Sequence, residues 1–411
     1  MLKIRRHPAY PYILCLLILG IMILLTTQLG SMRHAMARGS PGTVDFSAYW
    51  SAGQLLRRGE NPHDFSLLQT IEVGRVFSTP LALGMWNPPW VLIWLFPLFL
   101  LDFTTATLVW LGVNLAIVLV SSSLLWAVFK PGPARQKLTT AWLAGVAFVP
   151  ALMTMRQGQI SGLNLLGVAG FMFFLRKKRD LLAGASLALA TTKPHTVYLL
   201  WLAVIWWVVT QRRWKVLAGC LGVLAFSGLA LATMRPTWLT DYRVALANPP
   251  VYWATPTIGG AIRGLLGVQA PQVQYLAPGL AGLLLLLYLL RARPALDWQQ
   301  AVSPLLLLSV ATAAYAWTYD QIVLLVPYLQ LIVWLSDEED YSTLYAATIA
   351  GGIVTYLGIL LIQNLLRVNG VYQFWTSWVL AGTYAYAWLY RNPPRSPALV
   401  RVTVRSTDPP S

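Results

Sequence analysis

The sequence predicts an all-α membrane protein that crosses the bilayer many times. Hydrophobic residues make up 57% of its 411 residues and charged residues only 11%. The mean hydropathy is +0.60, well outside the range of soluble domains. Apolar runs recur along the whole chain, and no polar stretch is long enough for a separate soluble domain. We therefore expect a single transmembrane domain over 1–390 and a basic, proline-rich cytoplasmic tail over 391–411.

The apolar runs predict about 12 to 13 membrane segments. The first run follows the basic start MLKIRRHP and resembles a signal peptide, but it is long for one, so we read it as a retained span. The run 88–101 is short and contains three prolines, and the sequence leaves open whether it crosses or re-enters. The candidate spans lie at roughly 10–28, 104–129, 138–154, 161–175, 181–192, 195–210, 216–233, 275–290, 301–318, 320–335, 342–362 and 373–390.

Lysine and arginine predict the orientation of these segments, because they concentrate in cytoplasmic loops. With both termini and alternate loops in the cytoplasm, that side holds 19 of the 30 basic residues. The same rule explains the net charge of +16, so we expect no nucleic-acid partner. The protein would lie in the inner or plasma membrane. The segments predicted to be extracytoplasmic are the loops 30–87 and 235–274 and the turns near 156–160, 192–195 and 320.

The first external loop contains a predicted helix over 46–58. Asp45 stands just before it, and aspartate is a favoured N-cap. Arg57 and Arg58 suit its last turn, and Gly59 suits the position after it. One face is aromatic, so we expect the helix to lie along a membrane surface. On the local pattern alone, capping is the favoured role of Asp45. The residues of the aromatic face are Phe46, Tyr49 and Trp50.

A polar stretch interrupts the apolar pattern between the spans 138–154 and 161–175. It reads Arg156-Gln157-Gly158-Gln159, and Asn164 follows. Polar groups at membrane depth are costly. Hydrogen bonds between neighbouring helices explain the amides, whereas Arg156 needs an anionic partner.

A second interruption lies at Thr192-Lys193-Pro194-His195. It is either a proline break with a lysine that reaches the interface, or an anion site at the depth of a lipid phosphate. The sequence supports both readings equally. Asp320 precedes another span, where capping and pairing with a lysine or arginine explain it. Arg263 is explained equally well as a solvated loop charge and as part of a binding site.

Metal and cofactor signatures are absent from the sequence. Cys15 and Cys220 both lie in apolar runs and suggest no disulfide. The histidines show no metal-ligand spacing, and the chain has no phosphate-cradling glycine loop, nucleophile elbow or Asp-x-Asp motif. We therefore expect no metal and no cofactor.

These motifs follow one another in an order that resembles the motif order of glycosyltransferase family 87. This family consists of integral membrane transferases with a GT-C fold, and it includes mycobacterial mannosyltransferases that use polyprenyl-phosphate mannose. The resemblance covers roughly 40–330, and the loop near Thr257 departs from it, since it lacks the Asn-Gln-Ser wording of the family. The motifs in order are Asp45 with Tyr49, Gly59 to Pro62, Trp86-Asn87-Pro88-Pro89, Arg156-Gln157-Gly158-Gln159 with Asn164, Lys193-Pro194-His195, and Tyr319-Asp320.

The resemblance implies a sugar transfer at the extracytoplasmic face. The donor would be mannose, or another hexose or pentose, joined to polyprenyl phosphate, and the acceptor a hydroxyl of a lipid or glycan. Asp45 would be the general base, since the attacking hydroxyl must lose its proton, and an in-line attack would invert the anomeric centre. The predicted donor-phosphate residues are Lys193, His195, Arg263 and Arg156. The predicted substrate-binding residues are Tyr49, Asn87, Gln157, Gln159, Asn164, Tyr319 and Asp320.

Two other functions remain open from the sequence. A transporter or flippase of lipid-linked sugars would usually contain paired repeats, and no internal repeat is evident here. The polar residues singled out above also cluster toward one face of the membrane, the predicted extracytoplasmic face. This clustering favours an enzyme. A non-catalytic membrane scaffold is the second alternative.

Overall fold

The fold is described by a computed structural model. Within the residues it describes, the chain is helical and contains no strand, so the predicted all-α fold is confirmed. The predicted first span 10–28, residues 248–253 of the predicted external loop 235–274, and most of the tail lie outside those residues. The described residues are 44–72, 83–130, 138–247, 255–266, 271–336, 343–365 and 374–392.

The first half of the described chain carries the helices α1 to α8. A 3-10 turn, Phe96–Leu100, directly continues α3. The helices are α1 Val44–Arg57, α2 Phe65–Glu72, α3 Trp90–Leu95, α4 Phe103–Phe129, α5 Leu138–Ala147, α6 Val149–Gln157, α7 Ser161–Arg176 and α8 Asp180–Leu189.

The second half carries α9 to α17. Three 3-10 turns, Pro194–Val197, Pro271–Tyr275 and Thr318–Leu324, precede α9, α13 and α15. The helices are α9 Tyr198–Thr210, α10 Trp214–Met234, α11 Trp238–Ala247, α12 Ile258–Leu266, α13 Leu276–Ala292, α14 Trp298–Thr312, α15 Leu325–Ser336, α16 Thr343–Leu365 and α17 Thr376–Arg391.

Five of the described segments are long and apolar enough to cross a bilayer, and a sixth is a bent pair. The pair consists of α5 and α6, which meet at 62°. Several other predicted spans form shorter apolar helices, among them α7 and α8. The five long segments are Phe103–Phe129, Trp214–Met234, Gln272–Ala292, Thr318–Ser336 and Thr343–Gln363.

The proline-rich run 88–101 forms α3 and the 3-10 turn after it. At about 1.5 Å per α-helical residue and 2.0 Å per 3-10 residue, the two together extend roughly 19 Å. The hydrocarbon core of a bilayer is about 30 Å thick. This segment is therefore too short to cross alone, which favours re-entry.

Helices α8 and α10 approach each other closely through two glycines. A Cβ at Gly184 would overlap the backbone of Val216, and a Cβ at Gly219 would overlap the backbone of Leu181. Small residues permit such contacts between membrane helices, where close packing replaces the hydrophobic driving force. Arg213 closes one end of the pair through two hydrogen bonds of 2.8 and 2.6 Å to Asp180.

Helix α1 packs against protein, so the expected contact of its aromatic face with the membrane surface is wrong. Phe46 stacks on Phe103 and Trp110, with ring centroids 6.3 and 6.1 Å apart. Tyr49 and Trp50 are also buried. An aromatic helix face suits a protein core as well as a lipid interface, and here the start of α4 covers it.

The described bundle has two chemically different ends. Helix α7 runs from a polar cluster at Ser161 to the basic run at Arg176, about 24 Å along a 16-residue helix. At the basic end, Arg176 donates to the carbonyl of Ala127 at 3.0 Å. Lys130 donates to Ser336 Oγ at 3.1 Å. The described ends of α4, α7 and α15, next to which the sequence predicts cytoplasmic loops, therefore lie at one end of the bundle.

Candidate active site

Asp45 faces the polar stretch that precedes α7. Gln159 Nε2 donates to Asp45 Oδ2 at 2.7 Å, across 114 positions of the chain. Asp45 is half-buried and lies in the first turn of α1, one residue inside the helix. The interpretation of Asp45 as only an N-cap is therefore wrong, because its carboxylate binds a distant side chain.

Gln159 connects Asp45 to Lys193. Its Oε1 accepts from Lys193 Nζ at 2.8 Å and from the Tyr49 hydroxyl at 2.9 Å. The Gln159 side chain is buried, with 4% of the residue exposed. One amide thus links a carboxylate, a phenol and an ammonium group.

Lys193 forms a buried ion pair with Asp320. The Nζ–Oδ1 distance is 2.7 Å, and the two side chains are 8% and 2% exposed. Ser161 Oγ donates to the same Asp320 oxygen at 2.6 Å, and the Trp317 backbone N–H donates to the other at 2.9 Å. Asp320 thus pairs with a lysine, and its carboxylate caps the N-terminus of the 3-10 turn Thr318–Leu324. Both roles were predicted. The reading of Lys193 as a lysine that reaches the interface is wrong.

The turn between α6 and α7 places Gln159 at this position. Gly158 has φ +66°, a left-handed conformation that glycine adopts without a steric cost. Trp110 Nε1 donates to the Gly158 carbonyl at 2.8 Å. The Gln159 backbone N–H donates to Thr154 O at 3.0 Å. The glycine of Arg-Gln-Gly-Gln therefore ends α6, and the turn directs the side chain of Gln159 toward Asp45 and Lys193.

Asn164 holds the segment that carries Lys193. Its Nδ2 donates to the Lys193 carbonyl at 2.9 Å and to Thr196 Oγ1 at 3.0 Å. The Thr192 hydroxyl donates to Asn164 Oδ1. The predicted role of Asn164 in bonding neighbouring elements is confirmed, and this role stabilises the break after α8.

The proline-rich segment reaches the same break. Asn87 Nδ2 donates to the Thr192 carbonyl at 3.2 Å, and Trp90 Nε1 donates to Thr191 Oγ1 at 2.9 Å. Asn87 therefore lies beside the site but binds backbone there.

Tyr319 and His195 lie next to the ion pair. The Tyr319 ring lies over Lys193 Nζ, 4.7 Å from the ring centroid, and the Tyr319 carbonyl accepts from Thr154 Oγ1 at 2.9 Å. His195 is half-buried, close enough to Asp320 and Lys193 to interact with their charges.

The remaining predicted residues surround this centre. Arg263, on α12, donates to Gln274, whose Nε2 donates to the Ala314 carbonyl at 2.6 Å. Arg263 thus lies beside the segment that leads to Asp320. Arg156 and Gln157 end α6 and are half-buried.

Burial and charge act in opposite directions on Asp45. Burial raises the pKa of its carboxyl above the ordinary value, while the Gln159 hydrogen bond and the Lys193 charge lower it and Asp320 raises it further. Burial also raises the pKa of Tyr49 well above its ordinary range, so Tyr49 stays a neutral donor. Asp45 can therefore take up a proton more readily than an exposed aspartate.

Ser161, Thr192 and Thr196 were not among the predicted site residues. The hydroxyl of Ser161 binds Asp320, and the two threonines bind Asn164. Serine and threonine in apolar segments usually bond their own helix, so sequence alone gives little reason to select them. Their position within or directly beside the two polar interruptions was the available signal.

The site shows no arrangement typical of a metal centre. Among the described residues, no three histidine, cysteine, aspartate or glutamate side chains lie close enough together to hold a metal ion. That the activity needs no metal or cofactor stays a prediction.

One of three comparisons with known proteins finds a match. The sequence profile described as Glycosyltransferase family 87 matches residues 86–312, more than half of the chain. The match includes Gln159 and Lys193 but neither Asp45 nor Asp320. No curated protein and no solved structure matches the chain.

Proposed function

The chain belongs to glycosyltransferase family 87 and is a membrane glycosyltransferase, and we propose that it takes its sugar from a polyprenyl-phosphate donor. The acceptor is a hydroxyl of a lipid or glycan, and Asp45 is the general base. The observation that carries this proposal is the link from Asp45 through Gln159 to the buried Lys193–Asp320 pair. A carboxylate and a fixed positive charge thereby lie one side chain apart.

The transfer requires one base and one good leaving group. Asp45 takes the proton of the acceptor hydroxyl, and the hydroxyl oxygen attacks the anomeric carbon of the donor sugar. The bond from that carbon to the phosphate oxygen breaks, and its electron pair stays on the departing polyprenyl phosphate. Attack opposite the leaving group inverts the anomeric centre.

The departing phosphate gains negative charge, so nearby cations lower the barrier. Lys193 supplies one positive charge, but two of its three N–H groups already bind Asp320 and Gln159. In our proposal Lys193 therefore acts on the phosphate mainly through its charge. His195, Arg156 and Arg263 are the candidates for direct contacts with the phosphate oxygens.

The predicted substrate-binding residues divide into two groups. Asn164 and Asp320 hold Lys193 in place, which makes their contribution to binding indirect. Tyr49, Asn87, Gln157, Gln159 and Tyr319 stay candidates for substrate contacts. Tyr319 offers an aromatic ring next to the ammonium group, and such a ring can stack on a sugar.

The site faces the extracytoplasmic side in this proposal. The basic loops cluster at the opposite end of the described bundle, where Arg176 and Lys130 bind helix ends. Positive loops remain in the cytoplasm, so the end that carries Asp45 faces outward. Both termini are then cytoplasmic.

Incubation of the purified, lipid-supplied protein with a panel of polyprenyl-phosphate sugars tests the donor class. We expect at least one member to release polyprenyl phosphate in the presence of membrane acceptors. A parallel sealed-vesicle assay measures movement of the labelled donor across the bilayer. Donor movement without any sugar transfer would overturn the proposal in favour of a transporter.

A further inference from the structure

We propose that Gln159 is a positioning residue for the base: its amide holds Asp45 Oδ2 and thereby presents Oδ1 to the acceptor hydroxyl. Lys193 and Tyr49 hold the amide in the required orientation. This inference rests on the proposed function, in which Asp45 is the base.

The two ends of the Gln159 amide are chemically unlike. Its oxygen only accepts hydrogen bonds and its nitrogen only donates them. The oxygen receives Lys193 Nζ at 2.8 Å and the Tyr49 hydroxyl at 2.9 Å. A lysine ammonium has no acceptor, so a flipped amide would place N–H groups against N–H groups and an oxygen against the Asp45 carboxylate. Only one orientation satisfies all three neighbours.

The cation that orients the amide is itself fixed. Lys193 Nζ is 2.7 Å from Asp320 Oδ1. Asp320 is held by the Ser161 hydroxyl and the Trp317 backbone N–H at 2.6 and 2.9 Å. Buried networks whose groups are satisfied are rigid. The orientation of Gln159 is thus set by contacts that do not include the substrate.

The fixed orientation of Gln159 determines which Asp45 oxygen is available to the acceptor. Gln159 Nε2 holds Oδ2 at 2.7 Å. Within the described residues, Oδ1 has no hydrogen-bond partner, and the residue is half-buried. Oδ1 is then the oxygen that receives the acceptor proton. Burial and the Asp320 charge favour the protonated form of Asp45, whereas the Gln159 hydrogen bond and the Lys193 charge favour its ionised form.

Gln159→Glu tests this directly, because a carboxylate still accepts from Lys193 and Tyr49 but cannot donate to Asp45. A like charge beside Asp45 disfavours its ionised form. We expect the acid limb of the pH–rate profile to move up by about one pH unit or more, so that kcat falls about tenfold at pH values below the limb. The KM for the donor should change little, and activity should recover at higher pH.

Gln330→Glu is the matched control. Gln330, on α15, is also buried, and its oxygen accepts from Ser303 and Tyr384 at 2.5 and 3.0 Å. Its Nε2 donates to the Gln299 carbonyl at 3.1 Å. The same substitution there should lower stability without moving the pH profile. A purely structural role for Gln159 predicts that the two variants behave alike.

A second readout does not need turnover. Carbodiimides react with protonated carboxyl groups, and mass mapping of the peptide that contains Asp45 gives its half-reaction pH. Gln159→Glu should raise this pH, whereas Gln330→Glu should leave it unchanged. If Gln159→Glu folds but changes neither readout, the proposal is wrong.

Tyr49→Phe serves if Gln159→Glu does not fold. It removes one of the two donors to the Gln159 oxygen, and we expect kcat to fall about two- to tenfold with an unchanged donor KM. An unchanged kcat would overturn the proposal. Asp45→Asn distinguishes failure of the proposed function from failure of the Gln159 inference. If Asp45→Asn retains full turnover, the proposed function fails. If Asp45→Asn is inactive while Gln159→Glu is normal, only the Gln159 inference fails.

Discussion

At the residue scale, opposing influences act on the Asp45 carboxyl. Burial and the Asp320 charge raise its pKa, while Gln159 and Lys193 lower it. The net effect is a pKa above the ordinary 3.8. A base with a raised pKa holds an accepted proton more firmly, yet it remains ionised at neutral pH unless the shift exceeds about three units.

The pH dependence of transfer follows from this balance. The proposed base Asp45 would be active in its ionised form, so kcat/KM should rise with pH through the raised pKa of the carboxyl. We expect half-maximal activity above pH 3.8. A pH profile from pH 4 upward measures this, with donor binding followed over the same range as a control. A rate already at its maximum at pH 4 would contradict the expectation.

The Lys193–Asp320 pair should be sensitive to the loss of one partner. Asp320→Asn leaves a buried ammonium without its counter-charge, which costs about 3–5 kcal/mol. Replacement of both partners together, Lys193→Met with Asp320→Leu, should restore much of that stability but not the activity. Denaturation in lipid micelles measures both variants.

The Arg213–Asp180 pair is the control for this prediction. Its side chains are 39% and 15% exposed, so Asp180→Asn should cost only about 0–1 kcal/mol. Equal losses for Asp320→Asn and Asp180→Asn would show that burial does not determine the strength of these pairs.

The sequence predicted which residues belong to the site more readily than which of them contact one another. Asp45, Lys193 and Asp320 are charges next to apolar segments, which membranes tolerate only for a reason. Their partners are 114 and 127 positions away in the chain, and no local pattern encodes such pairs. Gln159 was selected as a substrate ligand, whereas its described contacts all connect other protein groups.

At the element scale, α1 carries Asp45, the proposed base, and the packing of α1 determines where this carboxylate lies. Gln54 Nε2 and Arg57 donate to the Phe99 carbonyl, both at 2.8 Å, and Trp50 Nε1 donates to Leu101 O at 3.1 Å. Helix α1 is therefore tied to the 3-10 turn after α3. Gly53 lies against the ring of Phe99 with no space for a side chain.

Gly53→Ala should displace α1 and lower activity. The added Cβ would overlap the Phe99 ring, and overpacking of this kind costs about 1–3 kcal/mol. A small displacement of Asp45 should reduce kcat more than donor affinity. Gly112→Ala, on α4, is the control because nothing lies within 4 Å of its added Cβ. Full activity of Gly53→Ala would contradict the proposed link between α1 packing and the base.

Hydropathy located the long helices within a few residues. The predicted spans 104–129 and 216–233 correspond to Phe103–Phe129 and Trp214–Met234, because continuous apolar runs leave few alternatives. The environment of α1 was misjudged, because an amphipathic pattern does not distinguish a lipid interface from a protein surface. The bend between α5 and α6 was not predicted either.

At the scale of the whole molecule, the described bundle separates a polar site from a basic end. Helix α7 connects Ser161, which binds Asp320, to Arg176, which binds the end of α4. Helix α10 runs the opposite way, and Arg235 just after it donates to the Gly59 carbonyl at 2.9 Å. This separation gives the proposed orientation a direct test.

Two single cysteines should report opposite sides of the membrane. Ser66 and Lys177 are exposed. Ser66 belongs to the predicted external loop 30–87, and Lys177 follows Arg176 at the basic end of the described bundle. In a background with Cys15→Ala and Cys220→Ala, an impermeant thiol reagent added to intact cells should label Ser66→Cys but not Lys177→Cys. Labelling of Lys177→Cys alone would place the site in the cytoplasm.

The most direct test of Asp45 as the base compares wild type and Asp45→Asn in the same lipid, with the polyprenyl-phosphate sugar that the wild type uses. Donor affinity and the rate of sugar transfer are measured on the same preparations. We predict donor binding within a few-fold of wild type and a loss of transfer of about 10²–10⁴-fold, the usual contribution of a general base. Transfer by Asp45→Asn within a few-fold of the wild-type rate would contradict the account.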